Sequence, residues 1–457
     1  MSITRLGTAH MYDRTISNIS KQQAELSSQM EHASAGKRVI RASDDPVAAA
    51  QAERARTRLS RIDTDQRQLD AQTATIQYGE STLGEINSAM QEFRSLIVNA
   101  GNGAFNQTQR DTLVEQLQSL RAQVLSYANR KDSNGLPLFR GLDTKSETPF
   151  PNGTQGIQGG QPNSNDYTIT NSLDGMLAFY SGKTGNGVLS TEVASTNTGT
   201  AYSTVGAITN AQDASALKSD LELFNQRLNT IAETKQQNNE TMPAGLTLPL
   251  TASIEFAKAA DGSMTYEVKQ PIAIAEWDVN TALPGETEQD YPKITYAPST
   301  PVAFVTGQDV QVFGMNITIS GDPQDGDALN VSPSTSQSIF EALDQAIATV
   351  KNNGNSDGST DHGALAQGLA KSLAELDTQL NRISTVRGVA GDLLNQAERM
   401  GSTLLLRNEQ MEAQRSSAED IDAVAALSQL KTQETMVSAA LQSYASIQKL
   451  SLFDYIG

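Results

Sequence analysis

The chain has 457 residues, of which 5% are aromatic and 19% charged, with a net charge of −18 and no cysteine. The lack of cysteine excludes disulfides, thiolate nucleophiles and cysteine-based metal sites. The acidic balance argues against nucleic acid as a partner, because binding to a phosphate backbone requires a basic face.

The excess of acidic residues is concentrated in the middle of the chain. Residues 142–360 contain 25 acidic and 9 basic side chains, and 13 of the 14 prolines lie from Pro137 to Pro333. Because proline breaks helix interiors, two helical arms are expected to flank a non-helical centre. We predict a mainly α fold with a β-rich insertion. The N- and C-terminal helices pair in a coiled-coil-like rod, and residues 151–334 form an acidic β-rich outer domain of one or two subdomains.

The two ends of the chain carry only sparse apolar stripes, and the sequence shows no signal peptide and no stretch of 18 apolar residues. Such stripes bury too little area to hold a lone helix in water. We predict that residues 1–40 and 416–457 are disordered in the monomer and form helices on assembly. The apolar residues expected to contact another chain are Ile16, Ile19, Leu26, Leu430, Val437, Leu441, Tyr444, Leu452 and Phe453.

The N-terminal arm is predicted to contain two helices. The first begins at Pro46, because Asp45 is a good N-cap and proline is a good first helical residue. A heptad seam follows it, formed by Ile62, Leu69, Ile76, Leu83, Met90 and Ile97. The second helix follows Asn106 and ends at the turn over 132–137.

The C-terminal arm carries a matching seam. Its apolar heptad positions include Leu376, Ile383, Leu404 and Met411, with Leu394 at the companion position. Because each seam needs an apolar partner, we predict that residues 41–150 and 335–415 pack on each other as one helical rod domain.

The centre contains strand and turn signals. Ile254 and Phe256 alternate with polar residues before Asp261-Gly262, and apolar residues alternate again after it, which predicts a β-hairpin. A second strand is predicted over 313–319 and a helix over 211–239. Residues 150–165 and 352–363 are rich in Gly, Asn, Ser and Gln and are predicted to be linkers.

No catalytic or cofactor-binding site is predicted. The three histidines, His10, His32 and His362, have no second ligand at metal spacing, and no phosphate loop or nucleophile elbow occurs. Residues 322–327 superficially resemble a calcium loop but lack its twelfth-position Glu, so a turn between strands is favoured over a cation site. The basic run over 54–61 is interpreted as a solvated or subunit-facing face of mixed charge.

Four motifs at the two ends of the chain resemble the flagellin superfamily, and within it the hook–filament junction branch (hook-associated protein 3). Residues 35–46 read AGKRVIRASDDP and contain the signature positions Arg41, Ser43, Asp44, Asp45 and Pro46. Residues 136–141 with 148–150, residues 419–422 and residues 450–457 are also similar to that branch. The resemblance covers both ends of the chain, whereas the centre is longer than in compact members.

The resemblance implies a non-enzymatic structural protein of the bacterial flagellum. Copies are expected to form a ring between hook and filament and to act as a mechanical adaptor and template. The implied partners are a neighbouring hook-associated protein, flagellin, and an export chaperone that holds the C-terminal helices. The implied location is the extracellular flagellum, reached through the flagellar type III export apparatus without a cleaved signal peptide.

Two alternatives stay open at this point. Flagellin itself is the nearer one, although flagellins tend to lack a proline equivalent to Pro46 and to end in a Leu-Leu-Arg-like tail. A soluble coiled-coil scaffold is the more distant one, and it would leave the Asp-Asp-Pro motif unexplained.

Overall fold

The structure is a computed structural model, and it describes residues 8–101, 107–142, 149–153, 169–170, 172–238, 240–243, 246, 248–276, 292–352 and 362–456. The helices are α1 (Thr8–Ala35), α2 (Pro46–Ala100), α3 (Gln107–Ala128), α4 (Gly175–Phe179), α5 (Ala211–Gln237), α6 (Ile339–Lys351), α7 (His362–Glu419) and α8 (Ala423–Ile456). The strands are β1 (Gly182–Lys183), β2 (Leu189–Val193), β3 (Tyr202–Ile208), β4 (Ala252–Lys258), β5 (Met264–Lys269), β6 (Pro271–Ala275), β7 (Lys293–Tyr296), β8 (Val302–Ala303), β9 (Asp309–Val312), β10 (Met315–Ser320), β11 (Ala328–Pro333) and β12 (Ser336–Gln337).

The predicted fold class is confirmed: long helices stand at both ends of a β-rich centre. The chain divides into two compact units. The first contains the described residues 8–71 and 396–456, and the second contains those between 72 and 395. This division falls inside α2 and α7, whereas the sequence predicts boundaries near 40, 150, 335 and 415. Continuous heptad patterns give no signal at the point where the division occurs.

In the first unit, α1 packs against α8, and the first part of α2 lies beside the last part of α7. Leu69 of α2 approaches Gly401 of α7, and Leu69 and Leu404 are buried. Ile62 and Met411 are half-buried. Seven-residue spacing puts these side chains on one face of each helix.

In the second unit, the other parts of α2 and α7 are joined by ion pairs. Arg94 donates to Asp377 from Nε at 2.6 Å and from Nη2 at 3.2 Å. Arg387 donates to Oε1 of Glu80 at 2.6 Å. Glu80 precedes Arg94 in α2, whereas its partner Arg387 follows Asp377 in α7, so these two stretches run antiparallel. Between them the seam residues Ile76, Leu83, Met90, Ile97, Leu376 and Ile383 are buried, and Leu394 is half-buried.

An aromatic cluster lies beside α3 and α6. Phe139, Phe150, Phe179 and Phe340 are fully buried, and the rings of Phe139 and Phe150 each meet Phe179 edge-on at 5.2 Å. Phe150 falls at the start of a predicted linker, so that prediction is wrong at this position. A single aromatic residue in a Gly-rich stretch gives no periodic signal. Residues 151–153 of that linker form a short 3-10 helix, whereas residues 154–165, and nearly all of the linker predicted over 352–363, lie outside the described residues.

Two antiparallel sheets share the core of the β-rich centre. One has the strand order β2-β11-β4-β5-β8 and the other β3-β10-β9. Their inward side chains, such as Ile254 and Ile317, join Leu217 and Leu221 of α5 in a single apolar cluster. Alternating strands bury one face each, and α5 covers the remaining apolar surface.

The predicted β4–β5 hairpin is confirmed, since Ile254 is paired with Val268 and Phe256 with Tyr266. The predicted helix over 211–239 is confirmed as α5. The prediction that Phe313 lies in a strand is wrong. Phe313 and Gly314 form the two-residue turn between β9 and β10, with φ values of 55° and 71°. Alternation of apolar residues does not distinguish a strand from a tight turn that enters it.

Candidate functional site

The signature over 35–46 forms a loop that is hydrogen-bonded to the loop between α7 and α8. Helix α1 ends at Ala35, and Gly36 follows with a φ of 66°, a conformation that glycine adopts without strain. The backbone N–H of Arg38 donates to the carbonyl of Glu419 at 2.8 Å, and that of Ile421 donates to the carbonyl of Gly36 at 3.1 Å. The two ends of the chain are therefore joined by backbone hydrogen bonds at this point.

Glu419 is the centre of this junction. The residue is 1% exposed, and its carboxylate forms ion pairs with Lys37 and with Arg56, whose Nη2 lies 2.5 Å from Oε2. A third, longer ion pair joins Oε2 to Nη1 of Arg415 on the same helix at 3.9 Å. Burial opposes ionisation of Glu419, but the bonds from Lys37 and Arg56 outweigh it and lower the pKa. The carboxylate therefore links the loop after α1, the first turns of α2 and the end of α7.

The two aspartates of the signature organise the start of α2. Asp45 accepts hydrogen bonds at Oδ1 from the backbone N–H groups of Val47 at 3.1 Å and Ala48 at 3.0 Å, so it is the predicted N-cap. Asp44 accepts at Oδ2 from the backbone N–H of Arg41 at 2.8 Å, and this bond lowers its pKa. These aspartates therefore have structural partners within the loop.

The other signature residues are at the surface. Arg41 pairs with Glu31 of α1 at 2.6 Å, and Ser43 contacts Asp44 at 3.4 Å. Arg38 bridges the loop, donating to Asp45 at 3.2 Å and to the carbonyl of Ala418 at 2.9 Å. Pro46 is the first residue of α2.

The residues predicted to contact another chain fall into three groups. Ile16 and Leu441 are exposed, whereas Ile19 and Val437 are buried and Leu26, Leu430 and Tyr444 are half-buried. Leu452 and Phe453 lie outside the side chains that the structure describes. The buried members lie on the faces through which α1 and α8 pack against each other. Part of the predicted contact set is therefore already covered within the chain.

A second set of exposed apolar residues lies on this pair and is absent from the predicted contact set. Val424 is 81% exposed, Leu427 66% and Met436 52%. On α1, Met30 is also exposed. Val424 and Met436 do not continue the seven-residue stripes, whereas Leu427 lies two heptads before Leu441 and Met30 two heptads after Ile16. Apolar residues that break a helical stripe were the available signal.

An open groove of about 750 Å³ lies between α2 and α7 in the first unit. Arg54 and Arg58 line it from α2, and Gln410 and Gln414 line it from α7. The basic run is therefore divided: Arg56 is bound to Glu419, whereas Arg54 and Arg58 face the groove.

Two carboxylates of the turn over 322–327 accept hydrogen bonds from backbone N–H groups of the chain. Asp327 is buried and accepts from the backbone N–H groups of Thr198 at 2.7 Å, Gly199 at 3.0 Å and Gln324 at 2.7 Å. Asp325 accepts from the backbone N–H of Lys258 at 2.9 Å. Across the described residues, no three His, Asp or Glu side chains are grouped as a metal ion requires, and no helix there is long and apolar enough for a membrane span.

Comparison with known proteins agrees with the sequence motifs. Residues 7–144 match the bacterial flagellin N-terminal helical region. The chain is 34% identical over 185 residues to flagellar hook-associated protein 3 of Salmonella typhimurium, covering 40% of this chain and 55% of that protein. It is 35% identical over 150 residues to the Escherichia coli protein of the same name, covering 32% and 46%. The matches therefore span about half the length of these relatives.

A flagellin match is weaker, and solved structures share the fold. Polar flagellin F of Vibrio parahaemolyticus is 28% identical over 121 residues, covering 26% of this chain and 32% of that protein. The hook-associated protein-3 structure from Legionella pneumophila has a TM-score of 0.58 at 22% identity, covering 83% of this chain and 99% of that one. Xanthomonas campestris FlgL has a TM-score of 0.55 at 19% identity, covering 80% and 99%. The chain is therefore similar to the flagellin N-terminal helical region over residues 7–144, and to flagellar hook-associated protein 3 over about half of the length of that protein.

Proposed function

We propose that this chain is a structural subunit of the bacterial flagellum that forms the junction between hook and filament, and that it is not an enzyme. The choice of junction over filament rests on the relatives, since the match to hook-associated protein 3 is longer and higher in identity than the match to flagellin. The Asp-Asp-Pro form of the signature, Asp44-Asp45-Pro46, favours the same choice.

One structural observation carries the assembly part of the proposal. The α1–α8 pair presents Ile16, Val424, Leu427 and Leu441 to solvent, although each would be stabilised by burial. A repeating heterologous contact between copies would cover such residues and generate a ring or a helical array. Ordering of residues 1–40 and 416–457 on assembly remains part of this proposal.

The proposed partners follow from a position in the flagellar axis. Copies of the chain contact one another in a ring, one end of which meets a neighbouring hook-associated protein while the other receives flagellin. Before assembly, an export chaperone covers the C-terminal helix, and the flagellar type III apparatus carries the chain to the extracellular flagellum. Nucleic acid and membranes have no part in this scheme.

Deletion of the gene tests the proposal against the flagellin alternative. Cells that keep their hooks, lack filaments and shed unpolymerised flagellin into the medium would support a junction role. Bald cells with no flagellin in the medium would identify the chain as the filament protein. Normal filaments, counted by electron microscopy, would contradict both assignments.

A further inference from the structure

A buried polar cluster lies in the second unit, where α7 packs against β12 and the start of α6. It consists of Glu375 and Gln379 of α7 and Gln337 of β12, and their side chains are 2%, 1% and 5% exposed. The backbone of Gly182 in β1 closes one side, since a Cβ on this residue would overlap the amide of Gln379. We call these three side chains the Glu375 cluster.

The Glu375 cluster contains more hydrogen-bond acceptors than donors. Nε2 of Gln337 donates to Oε2 of Glu375 at 3.2 Å and to Oε1 of Gln345 at 3.0 Å, which uses both of its protons. Nε2 of Gln379 donates to the carbonyl of Gln337 at 3.3 Å. Oε1 of all three side chains then remains buried, with no donor from the part of the chain that the structure describes. Buried acceptors without a donor cost free energy, and an ionised carboxylate among them costs more.

The charged groups around the cluster do not supply the missing donor. Lys371, one turn away on α7, pairs with Glu192 of β2 at 3.3 Å. Lys183 of β1 donates to Ser336 of β12 at 2.8 Å. Glu341 of α6 accepts from the backbone of Ser338 in a capping box, and Arg382 of α7 donates to the carbonyl of Ser181.

We propose that Glu375 keeps its proton at pH values where exposed glutamates have lost theirs, and that its O–H is the donor the cluster lacks. A protonated carboxyl supplies one O–H, which satisfies its own oxygen and one neighbouring amide oxygen. Burial raises the pKa of Glu375, and the opposing influences of Lys371 and of the Gln337 hydrogen bond are smaller. The cluster is thus a buried proton-binding site in the packing of α7.

A consequence is that the stability of the second unit depends on pH. Because the pKa of Glu375 is raised on folding, the folded chain binds more protons than the unfolded chain above about pH 4.3. The stabilisation from protonated Glu375 is therefore present below this pH, and it is lost as the pH rises through the raised folded value. Ionisation leaves a buried negative charge whose Oε1 has no donor among the described residues, which weakens the packing of α7 on β12.

The test compares the full chain with Glu375→Gln, which has the same shape, cannot ionise and carries two N–H donors. Asp392→Asn is the matched control, since Asp392 is exposed on the same helix. Thermal unfolding followed by circular dichroism is measured from about pH 5 to about pH 8. We expect the unfolding midpoint of Glu375→Gln to exceed that of the unsubstituted chain increasingly as the pH rises, whereas Asp392→Asn follows the unsubstituted chain.

An infrared difference spectrum provides a readout that does not depend on stability. The unsubstituted chain minus Glu375→Gln should show a protonated-carboxyl band above about pH 4.3, where exposed glutamates are ionised, and carboxylate bands should replace it as the pH rises further. A carboxylate signal throughout this range would overturn the proposal. An equal loss of stability in Glu375→Gln at every pH would also overturn it, because it would mean that the charge itself is required.

Discussion

At the scale of single residues, Glu419 connects segments that are far apart in the sequence. Its partner Arg56 is 363 residues away, and Lys37 belongs to the loop after α1. A nearly buried carboxylate is stabilised only while such partners remain, because removing one side leaves a buried charge or an unpaired donor. This residue is therefore expected to be sensitive to substitution.

We predict that Glu419→Gln destabilises the first unit by about 1–3 kcal/mol, because the ion pairs are replaced by weaker hydrogen bonds to an uncharged amide oxygen. Glu409→Gln, an exposed substitution on the same helix, is the control and should have little effect. Urea unfolding followed by circular dichroism measures the difference. Equal midpoints for the two variants would show that the Glu419 ion pairs do not stabilise the unit.

The same residue predicts a dependence on acid. The pKa of Glu419 is lowered on folding, so its stabilisation is complete above the unfolded value near about 4.3 and is lost as the pH falls through the lowered value. Glu419→Gln should therefore lose less stability than the unsubstituted chain when the pH falls below about 4. Parallel acid profiles of the two proteins would contradict this linkage.

At the scale of secondary-structure elements, the turn between β9 and β10 depends on Gly314. A Cβ at this position would overlap the carbonyl of Asn210 and lie 2.7 Å from the backbone nitrogen of Ala214, in a conformation with a φ of 71°. Both atoms belong to the backbone at the start of α5. Since backbone atoms cannot move away as a flexible side chain can, the turn has no room for a larger residue.

We predict that Gly314→Ala destabilises the second unit by more than the about 1–2 kcal/mol that a left-handed conformation costs an alanine. Gly262→Ala provides the control, since Gly262 also has a positive φ of 88° but has open space around it among the described residues. Both variants carry the conformational cost, so the difference between the thermal unfolding midpoints of Gly314→Ala and Gly262→Ala measures the steric cost. Equal losses would mean that the contact with α5 relaxes freely.

The elements also show what sequence patterns can predict. Heptad spacing identified the buried seams of α2 and α7, because each position repeats on one helical face. Two-residue alternation identified the β4–β5 hairpin, in which Ile254 is paired with Val268 and Phe256 with Tyr266. Phe313 was assigned wrongly, since apolar alternation does not distinguish a strand from the two-residue turn that Phe313 and Gly314 form.

At the scale of the whole molecule, the sequence predicted the helical ends and the β-rich centre but not the polar contacts between distant segments. The Glu419 junction and the Glu375 cluster each join residues from separate parts of the chain, so no local spacing reveals them. Val424 and Met436 of α8, which are exposed, were missed for a different reason. They lie off the face that pairs with α1, where solvent exposure is decided by tertiary packing.

Assembly through the exposed apolar face of α8 is tested by complementation of the deletion strain with the double variant Val424→Glu plus Leu427→Glu. Because both side chains face solvent, the variant should fold and be exported normally, yet fail to support filaments. The matched control is Gln429→Glu plus Gln442→Glu, which adds the same two charges at exposed polar positions of α8. We predict filaments with the control, and bald cells with the variant in the medium. Normal filaments on cells that carry the variant would contradict assembly through this face.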